Sequence, residues 1–121
     1  MKRLHHDLLA WQQGIALVKV IYQLTARFPQ GEQFALTSQM RRAAVSVPAN
    51  IAEGMARNST KELLQFLTIA RGSLSELETY LVLTRELRYA GDTEQADAQV
   101  DRVFGLIGGL ISSHRKSSAK T

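Results

Sequence analysis

Apolar residues recur at helical spacing along almost the whole chain, and this periodicity restricts the chain to an all-helical fold. Amphipathic segments follow one another at about 7–28, 37–57, 59–89 and 92–113, and none has the alternation of apolar and polar residues that is typical of a strand. The connections between the segments are short, which makes consecutive helices antiparallel neighbours. The sequence therefore predicts an all-α fold, an antiparallel up-down four-helix bundle.

The length of 121 residues gives room for one domain with one core. Residues 1–113 are predicted to form the bundle, and residues 114–121, which are small, polar and basic, are predicted to be a disordered tail. The N-terminus has no signal-peptide pattern, no apolar run approaches the length of a membrane span, and the chain has no cysteine. These features predict a cytoplasmic protein with no membrane partner.

The apolar faces of the first two helices are wider than one four-helix core can cover. Two apolar seams on helix 1 together span about 200°, whereas a surface helix buries a stripe of about 100°. An uncovered apolar face of this size indicates an interface, and closed homo-oligomers are the default for soluble proteins, so we predict self-association. If the second seam is the interface, Ile21→Glu is expected to dissociate or unfold the protein. The first seam consists of Leu4, Leu8, Trp11, Ile15, Val18 and Tyr22, and the second of Leu17, Ile21, Leu24 and Phe28.

A narrow polar stripe along helix 2 is the most specific feature of the sequence. It contains no Lys and one Glu, and its mixture of Arg, Ser, Asn and Glu suits hydrogen bonding between packed helices. Three interpretations stay open: a structural polar network, a plain solvent face, and a site for a ligand or nucleic acid. In the network interpretation, Asn50 and Glu53 of the stripe pair with Arg71 and Glu78 of helix 3. The whole stripe consists of Gln39, Arg42, Ser46, Asn50, Glu53 and Arg57.

Proline and glycine occur inside the predicted helices. Pro48 is expected to kink helix 2 near Ala44, with a helix break before Pro48 as the alternative. A glycine inside a helix costs about 1 kcal/mol relative to alanine, and close helix packing is the expected compensation, with flexibility as the alternative. The glycines concerned are Gly54, Gly72, Gly105, Gly108 and Gly109.

The chain has no catalytic signature. No Glu is followed three positions later by the His that a di-iron bundle requires, and His5, His6 and His114 lack the spacing of a metal site. There is neither a glycine-rich phosphate loop nor a nucleophile elbow. We therefore expect a non-enzymatic protein with no catalytic residues, no bound metal and no cofactor. An enzyme whose site is completed at a subunit interface is the remaining alternative.

Positive charge is concentrated in the first half of the chain. Residues 1–61 carry eight Lys/Arg against three Asp/Glu, a formal charge of +5, whereas residues 62–121 carry seven against eight, a charge of −1. A basic half indicates a polyanion partner, and ordinary solubility charge is the alternative. No basic face interleaved with aromatic residues is present, so binding would be electrostatic and directed at the phosphate backbone. The candidate nucleic-acid-binding residues are Arg41, Arg42, Arg57 and Lys61.

Several stretches carry a family resemblance. Residues 50–54 read Asn-Ile-Ala-Glu-Gly, residues 72–78 read Gly-Ser-Leu-Ser-Glu-Leu-Glu, and Phe28-Pro29 follows Tyr-Gln-Leu-Thr at 22–25. From residue 5 to about residue 111, the chain resembles the four-helix-bundle proteins encoded in intervening sequences of bacterial 23S rRNA genes. The resemblance implies a ring-like homopentamer. It also implies kinship with the accessory variability protein of diversity-generating retroelements, which works with a reverse transcriptase and nucleic acid, and it implies no catalytic residues.

Taken together, the residues and the resemblance predict a non-enzymatic homo-oligomer. Its predicted partners are further copies of itself and, through a basic surface, RNA or a nucleic-acid-processing protein. The alternative is a purely structural or protein-interaction module with no nucleic-acid role.

Overall fold

The computed structural model describes residues 3–119, and within this range the chain is helical with no strand. Two short 3₁₀ turns, Leu4–Asp7 and Gln30–Glu32, precede the first and second long helices. The prediction of an all-helical protein with four helices is confirmed. The helices are α1 (Leu9–Thr25), α2 (Leu36–Met55), α3 (Thr60–Glu86) and α4 (Glu94–Ala119).

The helix ends follow local sequence signals in part. Ser59 is the N-cap of α3, and its Oγ accepts a 3.1 Å hydrogen bond from the Glu62 amide, as the Ser59–Glu62 spacing predicts.

The last helix, α4, continues to Ala119, through residues for which a disordered tail is predicted. No glycine or proline follows Gly109, so nothing in this stretch breaks the helix. Lys120 and Thr121 lie outside the described residues, as do Met1 and Lys2.

The core lies between the four helices, and each helix contributes one apolar stripe to it. Within residues 3–119, no helix combines the length and apolar character needed to cross a membrane. Side chains that are almost completely buried include Leu17 and Ile21 of α1, Met40, Val47 and Ile51 of α2, Leu67, Leu74, Leu77 and Leu81 of α3, and Val100, Ile107 and Ile111 of α4.

Pro48 lies inside an uninterrupted α2, so the alternative of a helix break before it is wrong. Pro48 is buried against Gly14 of α1, where an added Cβ would lie 3.3 Å from the Pro48 Cβ. Gly54 gives α2 a similar approach to α3, because an added Cβ there would lie 2.9 Å from the Cβ of Phe66. The predicted role in close packing therefore holds for Gly54. It does not hold within this chain for Gly72, Gly105, Gly108 and Gly109, which have open space where a Cβ would be.

The two apolar seams of α1 differ in how far they are buried. The second seam, with Ile21 at its centre, is buried in the core of the single chain. The first seam contains the exposed residues Ile15 and Tyr22 and the half-buried Trp11 and Val18. The hypothesis that the second seam is an interface is therefore wrong, because Ile21 is completely buried within the single chain. The uncovered apolar surface of α1 consists of its first seam and of Leu9.

Candidate functional site

The exposed seam of α1 continues onto α2 and forms one apolar surface. Tyr22 of α1 lines one cleft with Val45 of α2, and Ile15 lies seven residues before Tyr22 on the same side of α1. All three are exposed. Phe34, just before α2, is 91% exposed, more than any other large apolar residue among those described. Ala49, also exposed, follows Val45 by one helical turn. We call this surface, made of Ile15, Tyr22, Phe34, Val45 and Ala49, the α1/α2 face.

Arginines border the α1/α2 face at the end where Phe34 lies. Arg41 is half-buried, its guanidinium carbon lies 4.4 Å from the centre of the Tyr22 ring, and its Nε donates a 2.9 Å hydrogen bond to Oγ1 of Thr25. Arg42 is exposed. Together with Tyr22, Phe34 and Val45, these arginines line an open cleft of about 580 Å³. This end can therefore receive apolar and acidic groups at the same place.

A second cleft, of about 720 Å³, lies at the opposite end of α2. Arg57 is held there by two contacts: its guanidinium carbon lies 4.7 Å from the centre of the Phe66 ring, and its Nη2 lies 3.8 Å from Oε1 of Glu53. Next to the cleft, the rings of His5, His6 and Trp11 pack against one another edge-on or tilted, with centroid distances of 4.5 to 5.3 Å. The residues that line the cleft are Arg3, Leu4, His5, Asp7, Ala52, Met55, Ala56, Arg57 and Asn58.

The middle of the polar stripe on α2 does form a contact between helices. The hydroxyls of Ser46 and Ser73 lie 2.8 Å apart and join α2 to α3. Asn50 is half-buried, and its Nδ2 donates to the carbonyl of Ser46 at 2.8 Å and to its Oγ at 2.9 Å. Every polar side-chain atom of this group that is shut off from solvent has a partner. The polar network interpretation therefore fits Ser46 and Asn50, with Ser73 as the partner across the helices.

Glu53, Arg71 and Glu78 do not join this network. Glu53 is exposed and pairs with Arg57 on its own helix. Within the described residues, the side chains of Arg71 and Glu78 make no hydrogen bond or ion pair. The reason is the direction in which each residue points from the helix axis. At about 100° per residue, Arg71 lies about 160° around α3 from Ser73, the residue that contacts α2. Glu78 lies seven residues before Arg85, on the side of α3 where Arg85 binds Asp97 of α4 at 3.0 Å.

The groove between α2 and α3 continues the polar stripe. It has a volume of about 370 Å³, and its lining includes Gln39, Arg42, Ser46 and Glu76. Tyr80 reaches Gln39 from α3 with a 3.4 Å contact between its hydroxyl and Oε1. Burial raises the pKa of the Tyr80 hydroxyl, and the negative charge of Glu76 raises it further. The groove thus contains hydrogen-bonding groups and one acid, which suit contact with polar groups.

The four candidate nucleic-acid-binding residues fall into two groups. Arg41 and Arg42 lie near the start of α2, whereas Arg57 follows its end, about 22 Å away at 1.5 Å per residue. Lys61, at the start of α3, shares a cleft of about 730 Å³ with Arg115 of α4. The structure therefore divides the candidates and adds Arg115 to the second group.

Sequence reasoning missed Phe34 and the partner serine on α3. Phe34 lies in the connection before α2, where helical periodicity carries no information, and the available signal was a large aromatic residue in a polar loop. Ser73 lies next to the apolar stripe of α3, and its role depends on which side of α3 faces α2.

Among residues 3–119, no group of three or more His, Cys, Asp or Glu side chains could hold a metal ion.

The fold and this surface define a class: small four-helix proteins in which two helices carry an uncovered apolar face. The chain belongs to the family of 23S rRNA-intervening sequence proteins, whose pattern matches residues 6–109. The match confirms the resemblance carried by the Asn-Ile-Ala-Glu-Gly and Gly-Ser-Leu-Ser-Glu-Leu-Glu strings. A comparison with curated proteins found no match.

Proposed function

We propose that the protein is a non-enzymatic assembly module, an antiparallel up-down bundle that forms a closed homo-oligomer through its α1/α2 face. The family resemblance implies that the oligomer is a pentamer, and we place it in the cytoplasm. The antiparallel arrangement is supported by contacts that advance in opposite directions along neighbouring helices. Gly14 approaches Pro48 while Tyr22 approaches Arg41, and Ser46 contacts Ser73 while Gln39 contacts Tyr80.

The exposure of the α1/α2 face is the observation that carries this proposal. Burying one large apolar side chain contributes about 1.5–3 kcal/mol, whereas association costs about 4–15 kcal/mol in lost translational and rotational freedom. Phe34 is 91% exposed, whereas Ile15, Tyr22 and Val45 are 42–47% exposed, so each of these three contributes about half of that figure and the four together offset part of the cost. In a monomer the same residues would stay in water, as a continuous patch of the kind that marks an interface.

The mass of the unmodified protein tests the proposal. Size exclusion coupled to light scattering at low micromolar concentration is expected to give a multiple of the 13.5 kDa chain mass. A mass of 13.5 kDa would contradict self-association and would require another partner for the α1/α2 face.

A second activity, RNA binding, is favoured by the charges at one end of the molecule. Arg3 and Arg57 line one cleft there, and Lys61 and Arg115 line another. We propose that this basic end binds the phosphate backbone of RNA without base specificity, since cations without a reading module bind through released counterions. A nucleic-acid-processing protein is the alternative partner.

Salt titration with a labelled single-stranded RNA tests this second activity. Replacing Arg57 and Lys61 together with Gln is expected to weaken binding and to flatten the slope of log K against log salt by about 1.4, since each phosphate contact contributes about 0.7. The matched control is Arg41→Gln with Arg42→Gln, which removes the same charge at the other end and is expected to leave the slope nearly unchanged. Absence of binding by the unmodified protein at low salt would remove the RNA proposal.

A further inference from the structure

The threonines that are buried among residues 3–119 differ in their hydrogen bonding. The hydroxyls of Thr25 and Thr84 donate to the backbone carbonyls four residues earlier, and that of Thr93 donates to Asp97. Thr37, in the first turn of α2, is only 6% exposed, yet its hydroxyl has no hydrogen-bond partner within the described residues. The bond that Thr25 and Thr84 make needs a preceding helical turn, and the first turn of α2 has none.

The hydroxyl of Thr37 reaches the cleft of about 580 Å³ at the Phe34 end of the α1/α2 face. Every polar side-chain atom of residues 3–119 that is shut off from solvent has a partner, so the unpartnered hydroxyl must meet solvent. Thr37 lines this cleft, which is where that solvent lies. A hydroxyl that has lost most of its hydration without gaining a partner lacks a hydrogen bond that a ligand can supply.

The first turn of α2 also has backbone amides without partners. Its N-cap residue, Ala35, makes no side-chain hydrogen bond to the turn. The amide of Leu36 donates to Glu32, but the amides of Thr37 and Ser38 have no partner within residues 3–119. Unpaired amides at the start of a helix, together with the helix dipole, favour an anion.

An arginine held in a fixed position lines the same cleft. Arg41 donates from Nε to Thr25 at 2.9 Å, and its guanidinium carbon lies 4.4 Å from the centre of the Tyr22 ring. Its Nη groups have no hydrogen-bond or ion-pair partner within the described residues, and no acid is among the described residues that line the cleft. Arg42 also lines the α2/α3 groove with Glu76, so Arg41 is the cation that this cleft holds for an anion.

We propose that this cleft binds the phosphate group of a nucleotide. The phosphate accepts hydrogen bonds from the Thr37 hydroxyl, from the amides of Thr37 and Ser38, and from the Nη groups of Arg41. A phosphate monoester has three acceptor oxygens and nearly two negative charges, which suit this donor set better than the two oxygens of a carboxylate. Phe34, 91% exposed in the same cleft, gives the base a ring on which to stack. The cleft volume is typical of a small-molecule site.

The inference goes beyond the proposed assembly and does not depend on it. Tyr22 and Phe34 belong to the α1/α2 face, which a neighbouring copy would cover, whereas Thr37, Ser38 and Arg41 lie beside that face. The test therefore uses both the unmodified protein and Ile15→Glu, a variant that is expected to be folded and to leave the cleft uncovered.

Titration with adenosine monophosphate, followed by calorimetry and by amide NMR spectra, tests the inference. Saturable binding is expected, with the largest amide shifts at Thr37 and Ser38. Adenosine, which lacks the phosphate, is expected not to reach saturation. A short RNA with a 5′-phosphate, compared with the same RNA ending in a 5′-hydroxyl, distinguishes the two sources of the group. Binding at Thr37 that requires the 5′-phosphate would assign the site to RNA ends, and binding of the mononucleotide alone would assign it to free nucleotides.

Variants with matched controls locate the site. Thr37→Val keeps the branched shape and removes the hydroxyl, so it is expected to weaken binding about tenfold or more. Thr84→Val makes the same change at a threonine that is also buried but does not line the cleft, and it is expected to bind like the unmodified protein. Arg41→Gln is expected to weaken binding at least about tenfold, because it removes a charge-assisted hydrogen bond. Arg57→Gln with Lys61→Gln, at the other end of α2, is expected to have no effect.

Three outcomes would overturn the inference. They are an absence of nucleotide binding by both the unmodified protein and Ile15→Glu, unchanged binding by Thr37→Val, and a loss from Thr84→Val as large as that from Thr37→Val in samples that retain their helical circular dichroism. A mass of 13.5 kDa for the unmodified protein would contradict self-association alone, so the two failures are distinguishable.

Discussion

The hydroxyl of Tyr89 donates a 2.7 Å hydrogen bond to Oε1 of Glu32, and this bond joins the segment after α3 to the 3₁₀ turn before α2. The other carboxylate oxygen of Glu32 accepts a 3.2 Å bond from the amide of Leu36, the first residue of α2. The bond from Tyr89 is the larger cause, and the bond from Leu36 the second, of the lowered pKa of Glu32. The same contact with Glu32 raises the pKa of Tyr89.

Acid is expected to weaken the fold through Glu32. Because its folded-state pKa lies below the unfolded value of about 4.3, ionised Glu32 stabilises the fold above that pH, and the contribution is lost as the pH falls through the lowered pKa. Glu32→Gln is therefore expected to unfold more easily at pH 7 and to show a flatter acid dependence. Urea unfolding from about pH 7 to pH 3 measures both effects. An acid dependence identical to that of the unmodified protein would contradict the assignment.

Tyr89→Phe is the matched control, because it removes one hydrogen bond and keeps the carboxylate. It is expected to lose part of the acid dependence and to retain the part that comes from the Leu36 amide. The raised pKa of Tyr89 predicts a contribution of the opposite sense. That contribution is complete below the unfolded value of about 10 and is lost as the pH rises through the folded value.

Substitutions in the two seams of α1 are expected to have different effects. Ile21 has no exposed surface, so Ile21→Glu buries a charge without a partner and is expected to unfold the chain. Ile15 is 47% exposed, so Ile15→Glu is expected to keep the fold and lower the oligomer mass. Circular dichroism and light scattering on the same samples distinguish the two effects. A folded monomer from Ile21→Glu would show that the second seam is dispensable for the core.

The hydrogen bonds from Asn50 to Ser46 on α2 are expected to matter more than the charged pair Glu53–Arg57 on the same helix. Asn50→Ala removes two half-buried hydrogen bonds and is expected to cost about 0.5–1.5 kcal/mol. Glu53 and Arg57 have side chains that are 56% and 43% exposed, so Glu53→Gln is expected to cost about 0.3–0.5 kcal/mol. Denaturant unfolding at fixed protein concentration gives both values, and a larger loss for Glu53→Gln would contradict this order.

A double-mutant cycle isolates the serine contact. Ser46→Ala and Ser73→Ala share a 2.8 Å contact, so their effects are expected to deviate from additivity by at least about 0.5 kcal/mol. Ser75→Ala is a suitable reference, because Ser75 is exposed on α3 and lies about 160° around the helix from Ser73. Additive effects of Ser46→Ala and Ser73→Ala would show that the two hydroxyls are not coupled.

Two helical glycines are expected to respond to alanine with opposite signs. At Gly54 the added Cβ would lie 2.9 Å from the Cβ of Phe66 and 3.1 Å from Cδ1 of Leu63, so Gly54→Ala is expected to destabilise the protein by about 1–3 kcal/mol. At Gly105 the added Cβ meets open space, so Gly105→Ala is expected to stabilise it by up to about 1 kcal/mol. Thermal unfolding measures both, and stabilisation by Gly54→Ala would show that α2 and α3 can move apart without cost.

Local sequence patterns were sufficient to predict the four helices and the residue at which α3 begins. The N-cap of α3 at Ser59 depends on residues three positions apart, and helical periodicity depends on residues within a few turns, so the sequence carries both directly. The extent of α4 was underestimated, because composition suggested a tail after Ser113, whereas the absence of a helix breaker decided the outcome. The resemblance to the family, which the match over residues 6–109 confirms, could be read from short strings because the sequence contains them in full.

The sequence by itself determined that the chain is helical and that α1 carries more apolar surface than one core can cover. Only the tertiary structure decided that Ile21 faces inward and Ile15 faces outward, because both seams are apolar and the choice depends on how α1 packs against its neighbours. The same holds for α3, where packing against α2 selected Ser73 and turned Arg71 away. A pattern along one helix describes its faces, and the neighbouring helices determine which of those faces is buried.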